Sequence, residues 1–477
     1  MTIVKKIAYN TFISSGARII GVALSLIGIG FITRYLGQEG FGSYSLILVF
    51  VSVFDVLADF GLYSLMTREI SKPGADEKKV ASNIFTIRIF TLLIFLAIAI
   101  VSVWFFPYPL KIKTGVAIMS LSCFFLSACQ VLMGIFQKYL RTDKPSIAEI
   151  LGRIFQLLLI ILVVYFDLGF LFVLIASLFS SVVIFLLSFI FSRKYIIVSF
   201  AFDFSYWKKI IREAIPIAIS VILTLVYFKI DSIFLSLSFI NRFSPSPLSD
   251  VGIYGIAYRV LEGLIFFPAM FVGLIMPLLS GSAVSDKEQF KKIFQKTLNV
   301  LIIFIVPLVV GVLILAMPIV KLIGGNNFIE SAPVLRILSF AVGLIFLGSL
   351  FGNSIIALNR QKIGAWIYFG GMIFNIVTNL IFIPKYRYLG AAGTTVATEF
   401  LVTFLMIVLI YKTIHYFPSF RIVFKALIGG IAMGVFIWFF KEWNLFLLVG
   451  LGIAIYFGVL YFIKGIRKEE IALLIKK

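Results

Sequence analysis

TFISSGARIIGVALSLIGIGFI, residues 11–32, is long enough to cross a bilayer as one helix, and it carries a single charge, Arg18. A crossing needs about 20 apolar residues. A cation at that depth costs at least about 2.5–3.5 kcal/mol on insertion scales, so Arg18 needs a reason to be there. Lys5 and Lys6 precede the run as in a secretory leader, but the run has full spanning length and no small-residue cleavage site, so it reads as a first anchor. Outward from it the pattern recurs. Fourteen spans are expected, at 11–33, 42–65, 83–106, 114–136, 147–166, 168–191, 214–238, 251–279, 297–317, 331–357, 363–383, 390–411, 422–440 and 444–463.

Composition agrees. The chain is 61% hydrophobic and 13% charged, with a mean hydropathy of +1.12. A soluble domain of this size could not keep such a surface wet. The apolar runs are continuous and helix-length rather than alternating, which excludes a β-barrel. The expected class is an all-α polytopic membrane protein. Cys123 and Cys129 share one apolar helix and read as packing residues, and His415, the single histidine, stands at a helix end. No metal centre, P-loop or nucleophile elbow is present in the sequence, so neither catalysis nor a resident cofactor is expected.

Lys and Arg fall unevenly on the two sides. Loops and ends on the amino-terminal side hold 28 and the opposite loops hold 8. Positive residues stay inside, so both termini are expected in the cytoplasm, with the chain in the plasma membrane. Topology and contact with anionic lipids then account for most of the net charge of +21, and no nucleic-acid partner is expected. Residues 192–213 divide the chain, carrying five cations with Tyr206 and Trp207, and 204–215 fits a short interfacial helix. The halves on either side look duplicated. Gly42 in FGSYSL (41–46) matches Gly252 in VGIYGI (251–256). Gly134 matches Gly352, Lys144 matches Lys362 and Gly152 matches Gly370, while DLG (167–169) matches YLG (388–390). Expected domains are an N-lobe (1–191), a cytoplasmic linker (192–213), a C-lobe (214–411) and two further helices with a tail (412–477). Two six-helix lobes of equal topology form a parallel repeat.

Six cations lie inside spans: Arg18, Arg88, Arg153, Lys229, Arg259 and Arg336. Arg18, Arg88 and Asp59 share one level in the cytoplasmic half, and Asp55 and Asp59 stack one turn apart. Lys229, Asp231, Arg259 and Glu262 share a level in the other half. Two readings stand for these charges: ion pairs that lock helices together, or a cavity that binds an anionic cargo and a coupling ion. On the second, Arg18, Arg88, Lys229 and Arg259 are the candidate cargo ligands, and Asp59, Asp231, Glu262 and Glu399 the candidate ion-coupling or gating groups. Arg153 follows Glu149 at i+4 and fits a simple pair near the interface, and Arg88 and Arg336 lie near enough to span ends to snorkel. Asn375, Thr378 and Asn379 stripe the eleventh span, where polar residues commonly bond helix to helix. Pro268 and Pro307 fall inside spans and bend them.

The runs RYLGQEGFGSYSL (34–46), ADFGL (58–62), TREIS (67–71), FKIDSIFLS (228–236), VGIYGIAYRVLEGLIFFPAMF (251–271) and IIALNRQK (355–362) resemble the signature of Wzx-type polysaccharide flippases. These belong to the multidrug/oligosaccharidyl-lipid/polysaccharide (MOP) exporter superfamily. The resemblance runs along nearly the whole chain. It implies two lobes around a V-shaped cavity, two further helices, and alternating-access transfer of a polyprenyl-(di)phosphate-linked oligosaccharide. It also implies membrane lipids, a polysaccharide polymerase and other assembly proteins as partners, with H+ or Na+ as candidate coupling ions. Related peptidoglycan-precursor flippases use arginines in the first, second and eighth helices. Arg18 and Arg259 match two of these, but the second helix here has Asp55 and Asp59 instead. The alternative within the superfamily is a MATE-like multidrug antiporter, whose cationic cargo calls for an acidic cavity.

Overall fold

In the computed structural model, residues 3–72 and 74–465 are described. Two helices are about twice the length a bilayer needs, and each contains one residue that cannot continue a helix. The first, α1 (Ile3–Asp59), breaks at Gly37, whose φ of 66° is left-handed and suits a residue without Cβ. The other, α11 (Gln361–Ile414), breaks at Arg387 with φ 52°. Each therefore supplies two limbs and two crossings. Between them come α2 (Leu62–Ile70), α3 (Glu77–Ser102), α4 (Leu110–Lys138), α5 (Asp143–Tyr165), α6 (Phe170–Ser192), α7 (Phe204–Ser236), α8 (Pro247–Ser285), α9 (Lys287–Gly324) and α10 (Ser331–Ala357). After α11 come α12 (Arg421–Phe439) and α13 (Leu445–Phe462). Since α2 only continues the second limb of α1, there are fourteen crossings. Eleven of the helices are long and apolar enough to span, among the described residues. The chain is an all-α, multi-pass membrane protein.

The second crossing is not the continuous helix that its apolar run suggests. It breaks at Phe60 and Gly61, both left-handed at φ 48° and 75°. The Asp59 carboxylate accepts the Gly61 N–H at 3.1 Å, a local bond that competes with the helix. From α3, the Thr91 hydroxyl donates to the Ala58 carbonyl at 2.9 Å, and Phe95 meets Phe60 edge-on. The break is thus held from outside as well as within.

Contacts divide the chain into Met1–Gly252 and Ile253–Lys477. In the first unit, α3, α4 and α7 pack on α1, and α5 packs on both α1 and α6. The outer limb of α1 and the first turns of α8 meet backbone to backbone. A Cβ on Gly42 would stand 1.7 Å from the Leu248 carbonyl oxygen, and one on Gly252 would stand 2.2 Å from that of Gln38. Each glycine faces the carbonyl four residues before the other, so the duplicated pair read from the sequence forms a reciprocal crossing. The segment before α7 runs extended along α3. The amide N–H groups of Ser199, Ala201 and Asp203 donate to Ser82, Thr86 and Asn83 at 3.1, 3.0 and 3.0 Å. Alternate amides pointing one way is the period of a strand. Asp203 then accepts from Tyr206 N–H and starts α7, which continues unbroken through 204–215 rather than forming a separate interfacial helix there.

In the second unit, α9 packs on α10 and carries α12 and α13. Gly430 and Gly434 of α12 abut Val306 and Val310 of α9, and the buried Tyr456 of α13 donates to the Ile303 carbonyl at 2.8 Å.

Candidate functional site

Charges at membrane depth gather in three places. The first joins α1 and α5. Arg18, half-exposed, lies 3.7 Å from Glu149, and Arg153 binds the same carboxylate oxygen through Nη2 at 2.8 Å and Nε at 3.1 Å. Arg18 is seven residues into the first span and Arg153 six into the fifth, so both sit about 10 Å deep from the same side. The close approach exists because Gly21 leaves room; a Cβ there would meet Arg153 at 3.3 Å. Two guanidiniums here share one carboxylate oxygen. Such an arrangement binds phosphate oxygens well, since guanidinium donors match their geometry.

The second cluster has the opposite balance. Arg88 of α3 has no exposed surface. Its Nη2 lies 3.2 Å from Asp55 and its Nη1 3.2 Å from Asp59, each carboxylate being about one-fifth exposed. The Ser127 hydroxyl of α4 also donates to Asp55. Arg88 therefore neither snorkels nor reaches outward. It is pinned between two acids whose i,i+4 spacing stacks them on one face.

The third pair is Arg259 with Glu262 on α8, 2.8 Å apart and each a little over a quarter exposed. In the same unit, Glu399 is buried on the second limb of α11 beside Thr398. Thr398 accepts from Asn375 at 3.3 Å, and Asn375 accepts from Asn379 at 3.0 Å. On α7, Asp231 is buried and Lys229 half-buried. Arg336 is exposed and donates to the Leu313 carbonyl at 3.1 Å.

The shared level of Arg18, Arg88 and Asp59 allowed Asp59 to pair with Arg18; the structure brings Asp59 to Arg88 instead, and places Arg18 at Glu149. Arg153 and Glu149 were passed over as a self-contained pair. The signal that places them with Arg18 was in the sequence, namely the equal depth of Arg18 and Arg153.

Thirteen helices, making fourteen crossings among the described residues, thus carry charges of both signs at membrane depth. Residues 7–283 match the family model described as "Polysaccharide biosynthesis protein", and the chain belongs to that family. The chain is 23% identical over 398 residues to the probable low-salt glycan biosynthesis flippase Agl15 of Haloferax volcanii, across 80% of this chain and 78% of that one. Among solved structures it is similar to the lipid II flippase MurJ in an inward closed conformation, with a TM-score of 0.74 and 16% identity over 95% of this chain and 98% of the other. It is also similar to a multidrug resistance MATE family transporter of the MOP superfamily in an inward-facing conformation, with a TM-score of 0.66 and 13% identity over 85% and 98%. These neighbours are flippases and transporters, not catalysts, and this chain is likewise not an enzyme.

Proposed function

We propose that the chain moves a polyprenyl-(di)phosphate-linked oligosaccharide from the cytoplasmic to the outer leaflet of the plasma membrane, for assembly of a surface glycan. One observation carries the reading: at bilayer depth, half-exposed Arg18 and Arg153 share a single carboxylate. Cations at that depth are costly and mark cargo pathways, and paired guanidiniums match the oxygens of a diphosphate. Membership of a polysaccharide-biosynthesis family and similarity to a probable glycan flippase support the sugar-lipid cargo. On this reading both termini face the cytoplasm, the headgroup is drawn to Arg18 and Arg153, and the polyprenyl tail stays in lipid. The protein alternates between inward and outward access, handing its product to a polymerase and other assembly proteins. Arg259 and Lys229 are secondary headgroup ligands, and Asp231, Glu262 and Glu399 are candidates for a coupling ion, H+ or Na+.

The test is movement of a labelled polyprenyl-diphosphate sugar between leaflets of reconstituted vesicles. Arg18→Ala and Arg153→Ala are expected to slow it at least tenfold, by removing charge-assisted bonds of about 1.5–3 kcal/mol each. Normal transfer by both variants sinks the headgroup assignment. Export of an organic cation instead of the glycolipid makes the protein an antiporter.

A further inference from the structure

The break in the second crossing and the buried charge cluster are one assembly, and the flippase reading leaves them without a task. Asp59 belongs to both. Its Oδ2 accepts the Gly61 N–H at 3.1 Å, while Oδ1 faces Arg88 Nη1 at 3.2 Å. Arg88 reaches across to Asp55 with Nη2, and its buried Nε has no hydrogen-bond partner among the described residues. One turn on, α3 supplies Thr91 to the orphaned Ala58 carbonyl. A single face of α3, at 88, 91 and 95, therefore holds the acid pair, the broken carbonyl ladder and Phe60.

With both acids ionised the cluster carries one negative charge in excess, around an arginine that has no exposed surface. One proton removes the imbalance.

We propose that the Asp55–Asp59 pair binds one exchangeable proton and that its occupancy sets the break at Phe60–Gly61. When Asp59 is ionised it is attracted to Arg88 and bonds the Gly61 amide at the start of α2, where a negative charge is also favoured by the helix N-terminus. When the proton moves onto Asp59, both attractions weaken. The second crossing then closes into one helix, and Phe60 leaves the left-handed region, which is unfavourable for a residue with a Cβ. Acid favours the straight helix and alkali the broken one.

The surroundings leave the pair as the titrating group. From α4 come the Cys123 thiol and Ser127, which donates to Asp55. On α5, Glu149 and Arg153 are engaged with Arg18 on the other limb of α1. α6 has no ionisable side chain. On α2, the Tyr63 hydroxyl accepts from Gln137, Arg68 and Lys72 bracket Glu69, and Arg68 also pairs with Glu213 near the start of α7, while Lys229 and Asp231 lie near the other end of α7.

This rests on the transport reading only for its place in a transport cycle; the switch itself is tested without any substrate. Spin labels at Glu39→Cys and Lys72→Cys, both exposed, flank the break in a Cys123→Ala, Cys129→Ala background. A straight helix sets them about 50 Å apart at 1.5 Å per residue. In vesicles, acidification is expected to move wild type toward that separation. Asp59→Leu leaves Arg88 neutralised by Asp55 and should hold the long distance at every pH. Asp55→Asn gives Arg88 wholly to Asp59 and should hold the short one. Difference infrared spectra of the wild type should show one protonated carboxyl lost as pH rises, a readout that survives if Asp59→Leu fails to fold. A wild-type distance indifferent to pH, both variants shifting the same way, or a response to added sodium rather than to acid overturns the proposal. Loss of flipping with the switch intact would instead count against the transport reading alone.

Discussion

Helices α5 and α6 of the first unit and the two limbs of α11 in the second follow one plan. Gln156 donates to Ser177 at 2.9 Å, and Asn375 donates to Thr398 at 3.3 Å. Gly152 admits Ile184, and Gly371 admits Val402, each closer than a Cβ would allow. Gly152, Gln156 and Ile160 lie 219 residues before Gly371, Asn375 and Asn379, and Ser177 and Leu178 lie 221 before Thr398 and Glu399. The growth by two residues is the one that carries DLG onto YLG. What differs is the chemistry beyond the shared bridge. In the first unit apolar Ile160 and Leu178 stand at the matching positions, and polar contacts come from serines instead: Ser122 and Ser181 donate to the Ser177 carbonyl, and Ser180 ties α6 to the Gly152 carbonyl at 2.8 Å. In the second, Asn379 extends it by donating to Asn375, and Glu399 is buried beside Thr398 in the chain. The first unit also holds the Arg88 cluster, between α1 and α3. On these helix pairs the two units share a packing frame and differ in the polar groups that it carries.

The largest expected effect breaks the ionic half of that comparison. Arg88→Leu leaves Asp55 and Asp59 uncompensated and should cost about 3–5 kcal/mol in unfolding measured in micelles. Adding Asp55→Asn and Asp59→Asn should restore most of it. Failure of the triple variant to recover would mean that Arg88 acts through packing rather than charge. Next, Gly152→Ala and Gly371→Ala each push a methyl group into a neighbouring side chain, at 2.2 Å from Ile184 and 2.5 Å from Val402. Overpacking of this kind costs about 1–3 kcal/mol, and near-equal losses in the two variants would sharpen the case for one inherited frame. Smaller again, Asn375→Leu strands buried partners at about 1–3 kcal/mol. Gln156→Leu should cost less, because its bridge is only partly buried and ends at Ser177.

The crossings were legible because a continuous apolar run of spanning length leaves few alternatives, and the repeat because glycines and loop motifs kept their spacing. Registers between helices were not. The sequence pairs Gly152 with Gly370, whereas packing pairs it with Gly371, one residue on, since only contact with Ile184 or Val402 reveals which glycine faces inward. For the same reason the stacking of Asp55 and Asp59 could be read, but not that Arg88 serves both. Depth alone allowed Arg18 an acid on α1 as readily as Glu149 on α5. The break at Phe60–Gly61 was hidden for a different reason. It is made by side chains of α3 acting on the backbone of α1, and no window of the second crossing contains them.

The smallest effect separates the two units by pH. Asp203 holds the extended segment before α7, accepting from Tyr206 and pairing with Lys79 at 2.8 Å. The Lys79 ammonium first, and then the Tyr206 amide, hold its carboxyl below the usual carboxylate range. A depressed acid contributes its full stabilisation above the ordinary value and loses it as pH falls through the lowered one. Acidification should therefore loosen 199–203 from Ser82, Asn83 and Thr86, read as a fall in amide protection, relative to the intrinsic exchange rate at each pH, at Ser199, Ala201 and Asp203. The Asn375–Thr398 bridge has no titratable atom, so protection along its two helices should change less over the same range. Asp203→Asn can still accept from Tyr206 but cannot pair with Lys79, and should show the loosened rate at neutral pH. If it exchanges like wild type, the segment is held by its amide bonds to α3 alone, and the Lys79 pair contributes nothing measurable, as exposed pairs often do not.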